Sequence, residues 1–334
     1  MERNEVFARI RGKAGKVLFA VAMGRDRTKL DIKNETGLSM STVLSAVEKW
    51  ERLGYITITE ERVPSGGKPH SRINMDARRA IYGISYRAGV LSACAVNLRG
   101  EAVGEYAVKV EDPSSSHRYT EEVARGLARK CPPPVAIGLA VNSASAGEMA
   151  SSLSDLFGAP CLLTSNVVSM AYRLLWQDVP APLAVIGVGN RIKCAHMGES
   201  VRAIDVGSLA SPVSASGEAR SYESILSVAE VESRLSEKRF SDMTEWEGAR
   251  ALRVRDTAAY SRLLARTLSS LVEMVATLLA PRSFCLFGEY ITRGFFERIR
   301  VGDIPARVFF ERAEREDLAH GAALQALTEC VFNQ

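Results

Sequence analysis

Ser41, Thr42, Ser45 and Lys49 recur three and four residues apart, the spacing that gathers side chains on one face of a helix. Short hydroxyls and a flexible ammonium on one face can reach base edges and phosphates in a major groove. Further along, Gly66-Gly67-Lys68-Pro69 forms a Pro/Gly-rich tip, followed by His70. Backbone without side chains can lie flat in a minor groove, where a Cβ would meet the walls, and Lys68 and His70 add phosphate partners. No comparable set points to bond-breaking chemistry. The four histidines, His70, His117, His196 and His320, stand in no Ser/His/Asp or H-E-x-x-H arrangement, so hydrolase chemistry drops out. The six cysteines include no C-x-x-C pair, and the nearest two, Cys131 and Cys161, are thirty residues apart. That is the spacing of reduced, mostly buried thiols, not of a disulfide framework or a cysteine metal knuckle.

The elements around the polar face support this reading. Val17, Leu18, Ala20, Val21 and Ala22 predict a helix that stops at Gly24, and Leu30, Ile32 and Thr36 a short one closed by Gly37. Ser39 is a natural N-cap for a third helix, with Val43, Ala46, Val47, Trp50 and Leu53 on its inner face and Gly54 as terminator. An anchoring helix, a tight Gly-containing turn and a longer helix make a helix-turn-helix. Tyr55–Thr59 and Ser71–Met75 alternate as two strands around the tip, which completes a winged helix. Ser39, Ser41, Thr42, Ser45, Lys49, Gly66, Gly67, Lys68 and Pro69 are therefore the expected contacts to double-stranded DNA. Charge agrees: residues 1–80 hold 16 Lys and Arg against 10 Asp and Glu, whereas the rest hold 27 against 29. A basic front on a near-neutral body suits a module that meets a polyanion.

At 334 residues the chain is long enough for two or three domains, and 46% hydrophobic with 25% charged residues is an ordinary globular composition. No apolar run reaches the ~18–20 residues that cross a bilayer. The opening Met1-Glu2-Arg3-Asn4-Glu5 lacks the apolar core of a secretory signal, so a cytoplasmic protein with no membrane partner is expected. From Tyr82 the pattern alternates strands and helices. Gly83–Val96 and Gly104–Val110 read as hairpin strands, Tyr119–Cys131 as a helix, Val135–Val141 and Cys161–Thr164 as strands, and Val167–Leu175 as a helix. The layout repeats with strand Leu183–Val188, its return near Ile192–His196, helical Tyr222–Leu235 and a long helix Arg253–Leu279. Strands Ser283–Phe287 and Arg307–Phe310 and a closing helix Leu318–Cys330 finish it. Two similar successive segments predict an α/β body of two lobes, giving domains 1–78, 79–180 and 181–334.

The whole layout resembles the family named for repressors, open reading frames and kinases (ROK). Its members are sugar kinases and sugar-responsive repressors on an actin-like, ribonuclease-H-like fold, the repressors with an added N-terminal winged helix. The resemblance runs through Thr36-Gly37-Leu38-Ser39-x-Ser41-Thr42-Val43, Leu53-Gly54-Tyr55-Ile56 and Ser65-Gly66-Gly67-Lys68-Pro69. It continues in Leu279-Ala280-Pro281 and His320-Gly321-Ala322-Ala323. It implies an α/β fold: an N-terminal winged helix-turn-helix plus a two-lobed actin-like (ribonuclease H-like) body.

Departures from the family pattern are as informative. Where the kinases open their first hairpin with an Asp and a Gly-rich turn, this chain has Gly83-Ile84-Ser85-Tyr86-Arg87-Ala88-Gly89. The second Gly-rich phosphate loop reads Gly187-Val188-Gly189-Asn190-Arg191-Ile192-Lys193, with long cations at its last two glycines. The catalytic base of the family's Asn-Asp pair is valine in Asn166-Val167, and valine accepts no proton. Ser214, Ser216 and Ser221 stand at the three thiolate positions of the family's structural zinc, and Ser208 at its histidine. Neutral hydroxyls are poor zinc ligands, so neither a metal nor any other cofactor is expected. By the resemblance, Asn166, Asp205 and Glu223 are the remaining candidates for contacts to a sugar-like effector. The combined expectation is a non-enzymatic regulator that binds operator DNA, as a homodimer or higher homo-oligomer. The alternatives are an active sugar kinase with an attached DNA-binding domain, and a constitutive DNA-binding protein whose body only oligomerises.

Overall fold

The computed structural model describes the chain apart from residues 1–3, 62–69, 88, 112–115, 214–219, 236–255, 292, 301, 303 and 312–314. It forms two compact units, residues 1–165 with 172–178 and 315–334, and residues 166–171 with 179–314.

The first unit opens with helices α1 (Asn4–Arg9), α2 (Lys13–Ala22), α3 (Lys29–Thr36) and α4 (Met40–Arg52). Local chemistry sets each boundary. The Thr28 hydroxyl accepts from the Asp31 amide while the Asp31 carboxylate accepts from the Thr28 amide at 2.9 Å, a reciprocal box at the start of α3. Gly37 closes that helix at φ +67°, the left-handed conformation that a side chain resists. Ser39 then caps α4, its Oγ accepting from the Thr42 amide at 3.3 Å. Val43, Ala46, Val47 and Trp50 point inward, and Trp50 Nε1 donates to the Ala14 carbonyl of α2 at 2.7 Å. Leu53, expected on that inner face, is exposed, because it lies at the end of α4 where the helix stops. Strands β1 (Ile56–Glu61) and β2 (His70–Met75) pair antiparallel, Ile56 opposite Met75. Three helices and a strand pair fit the expected helix-turn-helix and wing. The tip with Gly66, Gly67, Lys68 and Pro69 lies outside the described residues.

The capping box supplies a pH test. Hydrogen bonds from Thr28 hold the Asp31 carboxyl below its ordinary 3.8. A depressed acid contributes stability above its unfolded value and loses it as the pH falls through the folded one. Asp31→Asn should therefore lower the urea midpoint at neutral pH, and the gap to the parent protein should close below pH 3.8.

The same unit continues with β3 (Ala80–Arg87), β4 (Val90–Asn97), β5 (Ala102–Lys109), helix α5 (Ser116–Ala128), β6 (Pro134–Ala140), helix α6 (Ala146–Phe157) and β7 (Cys161–Thr164). The sheet order is β5-β4-β3-β6-β7, antiparallel on the β5 side and parallel from β3 to β7. One face carries Tyr82, Ile84, Ala93, Ile137 and Leu139 into a core shared with Val123, Leu127 and Leu153 of α5 and α6. On the other, Gly83 and Gly138 admit the backbone of the closing helix (Arg315–Ala326), which continues as a π-helical turn, Leu327–Phe332.

The expected division ran residues 181–334 together; by contacts, residues 315–334 group with the first unit, where Gly83 and Gly138 let the helix backbone approach the sheet. The segment also seats the N-terminal helices. The ring of Phe332 lies 5.4 Å from that of Phe19 on α2 and 6.3 Å from that of Trp176. Arg11 N donates to Asn333 Oδ1 at 3.0 Å, and the Arg99 guanidinium of the β4–β5 turn donates to the carbonyls of Ala22 and Gly24 at the end of α2. A cation at the carbonyl end of a helix is favourably placed.

Helix α7 (Asn166–Leu175) divides between the units. The second unit contains β8 (Leu183–Val188), β9 (Ile192–Met197), β10 (Val201–Asp205), the short pair β11 (Ala210–Ser211) and β12 (Arg220–Ser221), and helices α8 (Glu223–Leu226), α9 (Val228–Leu235) and α10 (Asp256–Leu279). It ends in β13 (Ser283–Gly288), α11 (Arg293–Phe296) and β14 (Arg307–Phe310). Its sheet order, β10-β9-β8-β13-β14, repeats that of the first: three antiparallel strands, then two parallel ones. Leu264, Leu268, Leu271 and Val275 of α10 pack with Ala184, Ile186, Phe284 and Leu286.

Candidate functional site

On α4 the residues opposite the buried stripe are Ser41, Leu44, Ser45 and Glu48, all exposed. Ser41 and Ser45 therefore stand where the sequence places them. Thr42 is half-buried, and its hydroxyl lies 2.9 Å from that of Ser39, which is engaged as the cap. Lys49 is turned elsewhere. Its Nζ sits 4.3 Å from the centroid of the Trp50 ring and donates to the backbone carbonyl of Gln334 at 3.5 Å. The amine thus reaches the chain's last residue, a partner that helical spacing cannot reveal. Leu44 and Glu48 were not among the expected contacts, although the spacing that picked out Ser41 and Ser45 also contains them. Arg25 and Lys33 add exposed cations to this front module.

At the positions that the resemblance gives to phosphotransfer stand a hydroxyl, an apolar side chain and two long cations. Ser85 is 1% exposed in β3, a neutral hydroxyl where the resemblance expects a carboxylate. Val167 stands over Gly187: a Cβ built there would lie 2.6 Å from Val167 Cγ1 and 2.9 Å from Phe287 Cζ. The space beside that glycine is occupied by these two apolar side chains, both 4% exposed. Arg191 donates to Glu223 Oε1 at 3.2 Å, so the long side chain at the altered loop is paired with one of the expected effector residues. The Asp205 carboxylate accepts from the amides of Gly207 at 3.1 Å and Ser208 at 3.4 Å. Asn166 is the first residue of α7, after Ser165 at the cap position. Arg191, Glu223 and Asp205 come together around Gly207, whose amide also reaches the Ile192 carbonyl at 2.9 Å.

The zinc implied by the resemblance does not fit the residues present. Ser221 Oγ accepts from the Ser224 amide at 3.2 Å, helping to start α8, and Ser208 offers only a hydroxyl. Ser214 and Ser216 lie outside the described residues. Among the described residues, no three His, Cys, Asp or Glu side chains gather as a metal site. No described helix is long and apolar enough to cross a membrane.

No family model matches the chain, and no curated protein matches it. Solved structures do. A ROK family transcriptional regulator, described as a homologue of the E. coli MLC protein, matches with a TM-score of 0.72 at 14% identity over 99% of this chain and 98% of its own. The ROK hexokinase from Thermus thermophilus matches with a TM-score of 0.59 at 15% identity, over 75% of this chain and 99% of its own. The ROK family glucokinase from Streptomyces griseus, solved with glucose and AMPPNP, matches with 0.55 at 14% identity, over 74% and 99%. These likenesses show that the chain has the fold of ROK proteins. Its sheets repeat the order of the actin-like body, and the regulator covers the N-terminal module as well.

Proposed function

We propose that this chain is a ROK-type transcriptional regulator that binds operator DNA through α4 and the wing and performs no phosphotransfer. The observation that carries the reading is the outward face of α4, polar and unburied behind a tight Gly37 turn, on a module with a net positive charge. Ser41 and Ser45 face the duplex. Thr42 and Ser39 hold the helix start, and Gly66, Gly67, Lys68 and Pro69 are assigned to the wing tip. The likeness to a regulator over 99% of the chain supports this reading, whereas the kinase likenesses cover about three quarters of it. Val167 and Phe287 over Gly187 support the absence of catalysis, because transfer needs both a base and an open phosphate seat.

A second reading concerns the body. The Arg191–Glu223 pair and the two amides on Asp205 satisfy two of the three expected effector groups internally, which favours a scaffold that only oligomerises. The ligand-responsive version has Asn166, Asp205 and Glu223 meet a sugar-like effector, and predicts a thermal shift with sugars or sugar phosphates that Glu223→Ala abolishes.

Genomic footprinting of the full chain tests the main reading, with discrete protected sites as the expected result. ATP-dependent phosphorylation of a hexose would overturn the non-enzymatic part. A protein that ignores duplexes at physiological ionic strength would overturn the rest.

A further inference from the structure

The outward face of α4 is chemically unusual for a surface that meets a polyanion. Ser41, Leu44, Ser45 and Glu48 lie within an arc of roughly 100° on the helix, and the one cation on that arc, Arg52, stands at its C-terminal end. The helix's one middle cation, Lys49, is drawn toward Trp50 and the Gln334 carbonyl. A carboxylate held against phosphates is repelled, and an exposed leucine, 37% accessible here, gains nothing from them. Both groups become favourable against base edges. In the major groove a Glu carboxylate accepts from the cytosine N4 amino group, and an apolar side chain fits the thymine methyl. Leu44 lies in the helix's second turn and Glu48 one turn later, roughly 6 Å further along the axis. One base step is about 3.4 Å, so the two side chains address base pairs about two steps apart.

We propose that Leu44 and Glu48 set this protein's operator specificity, Leu44 by reading a thymine methyl and Glu48 by reading a cytosine amino group near it. This rests on the reading of α4 as a DNA-contacting helix. Phosphate attraction is then left to Arg52 at the end of the face and to cations off it, Arg25 and Lys33 among them. Affinity and sequence choice are divided between different parts of the module.

The experiment selects binding sites for the full chain from random duplexes and repeats the selection with Leu44→Ala and Glu48→Gln. The parent protein should enrich a site with a fixed thymine and a fixed cytosine about two steps apart. Replacing that thymine by uracil, which removes only the methyl group, should weaken parent binding about fivefold and leave Leu44→Ala indifferent. Glu48→Gln should shift the preference at the cytosine toward adenine, which Gln reads through N6 and N7. Both substitutions are on the surface, so unchanged thermal melting is expected alongside. Uracil tolerance by the parent, or identical selected sites for parent and variants, would overturn the inference while leaving DNA binding intact. Failure of the parent to bind any duplex even at low salt would instead overturn the reading on which it rests.

Discussion

Gly83→Ala is expected to lower the stability of the chain by roughly 3–5 kcal/mol, read as a fall in the urea midpoint. The reason is what the new methyl group would meet. A Cβ on Gly83 would overlap the carbonyl oxygen of Ala319 and lie 2.5 Å from the Ala323 nitrogen. These are backbone atoms of the closing helix, so no side-chain rotation relieves the clash. The helix must lift off the sheet. Gly138 pairs with Gly83 in register on the neighbouring strand, and a Cβ there would lie 2.6 Å from the Ala322 carbonyl carbon. Both substitutions raise the same helix. The double variant should therefore cost less than the sum of the two singles, with a coupling of about 1–2 kcal/mol. Gly89→Ala is the control. Its φ of +75° strains a side chain, but nothing lies within 4 Å of the added methyl, so about 1 kcal/mol is expected. Equal costs for Gly83 and Gly89 would show that the helix moves freely on its sheet.

The Gly83–Gly138 seam was not legible in the sequence, since it joins residues far apart in the chain whose only shared property is smallness. Features set by neighbouring residues were legible. The inner face of α4 was, because Val43, Ala46, Val47 and Trp50 follow the helical period, and so was the turn before it, because Gly37 needs a left-handed backbone. The run Gly83–Val96 read as one strand, whereas the chain reverses at Gly89 into β3 and β4; the run is buried on both sides of the turn, and before Arg87 only the small Ser85 interrupts it. Helix α6 was missed because Ala146, Gly147 and its serines dilute the apolar spacing of Met149, Leu153, Leu156 and Phe157. At the candidate site the apolar residue at the position that the resemblance gives to the base, Val167, was legible. What fills the space was not, since Phe287 is remote from it in sequence. The contacts of Lys49 were not legible for the same reason, since they reach the far end of the chain.

Phe332→Ala is expected to cost roughly 3–5 kcal/mol, the range for truncating a fully enclosed aromatic side chain. Phe332 is 0% exposed and stands between Phe19 of α2 and Trp176. Polar contacts around it cannot compensate, because they depend on the same turn. Trp176 Nε1 donates to Thr328 Oγ1 at 3.1 Å, and the Tyr172 hydroxyl donates to the Glu329 carboxylate. Burial pushes the Tyr172 hydroxyl well above its ordinary range, so it stays protonated and keeps donating. Removing the ring opens a cavity under α2, and Trp176 emission should shift to the red as water enters. The front module has its own interior in Val17, Ile32, Val43, Val47 and Trp50, so it should outlast its seat. Denaturation followed by far-UV signal and by tryptophan emission in a Trp246→Phe background, where Trp50 reports the front module and Trp176 its seat, should then cease to coincide, the mark of a module that no longer unfolds together with the body. Phe332→Leu, which conserves most of the volume, should keep the two probes together and cost less than about 1.5 kcal/mol. Coincident transitions in Phe332→Ala would mean that Arg99, holding the Ala22 and Gly24 carbonyls, is enough to couple α2 to the sheet without the aromatic contact.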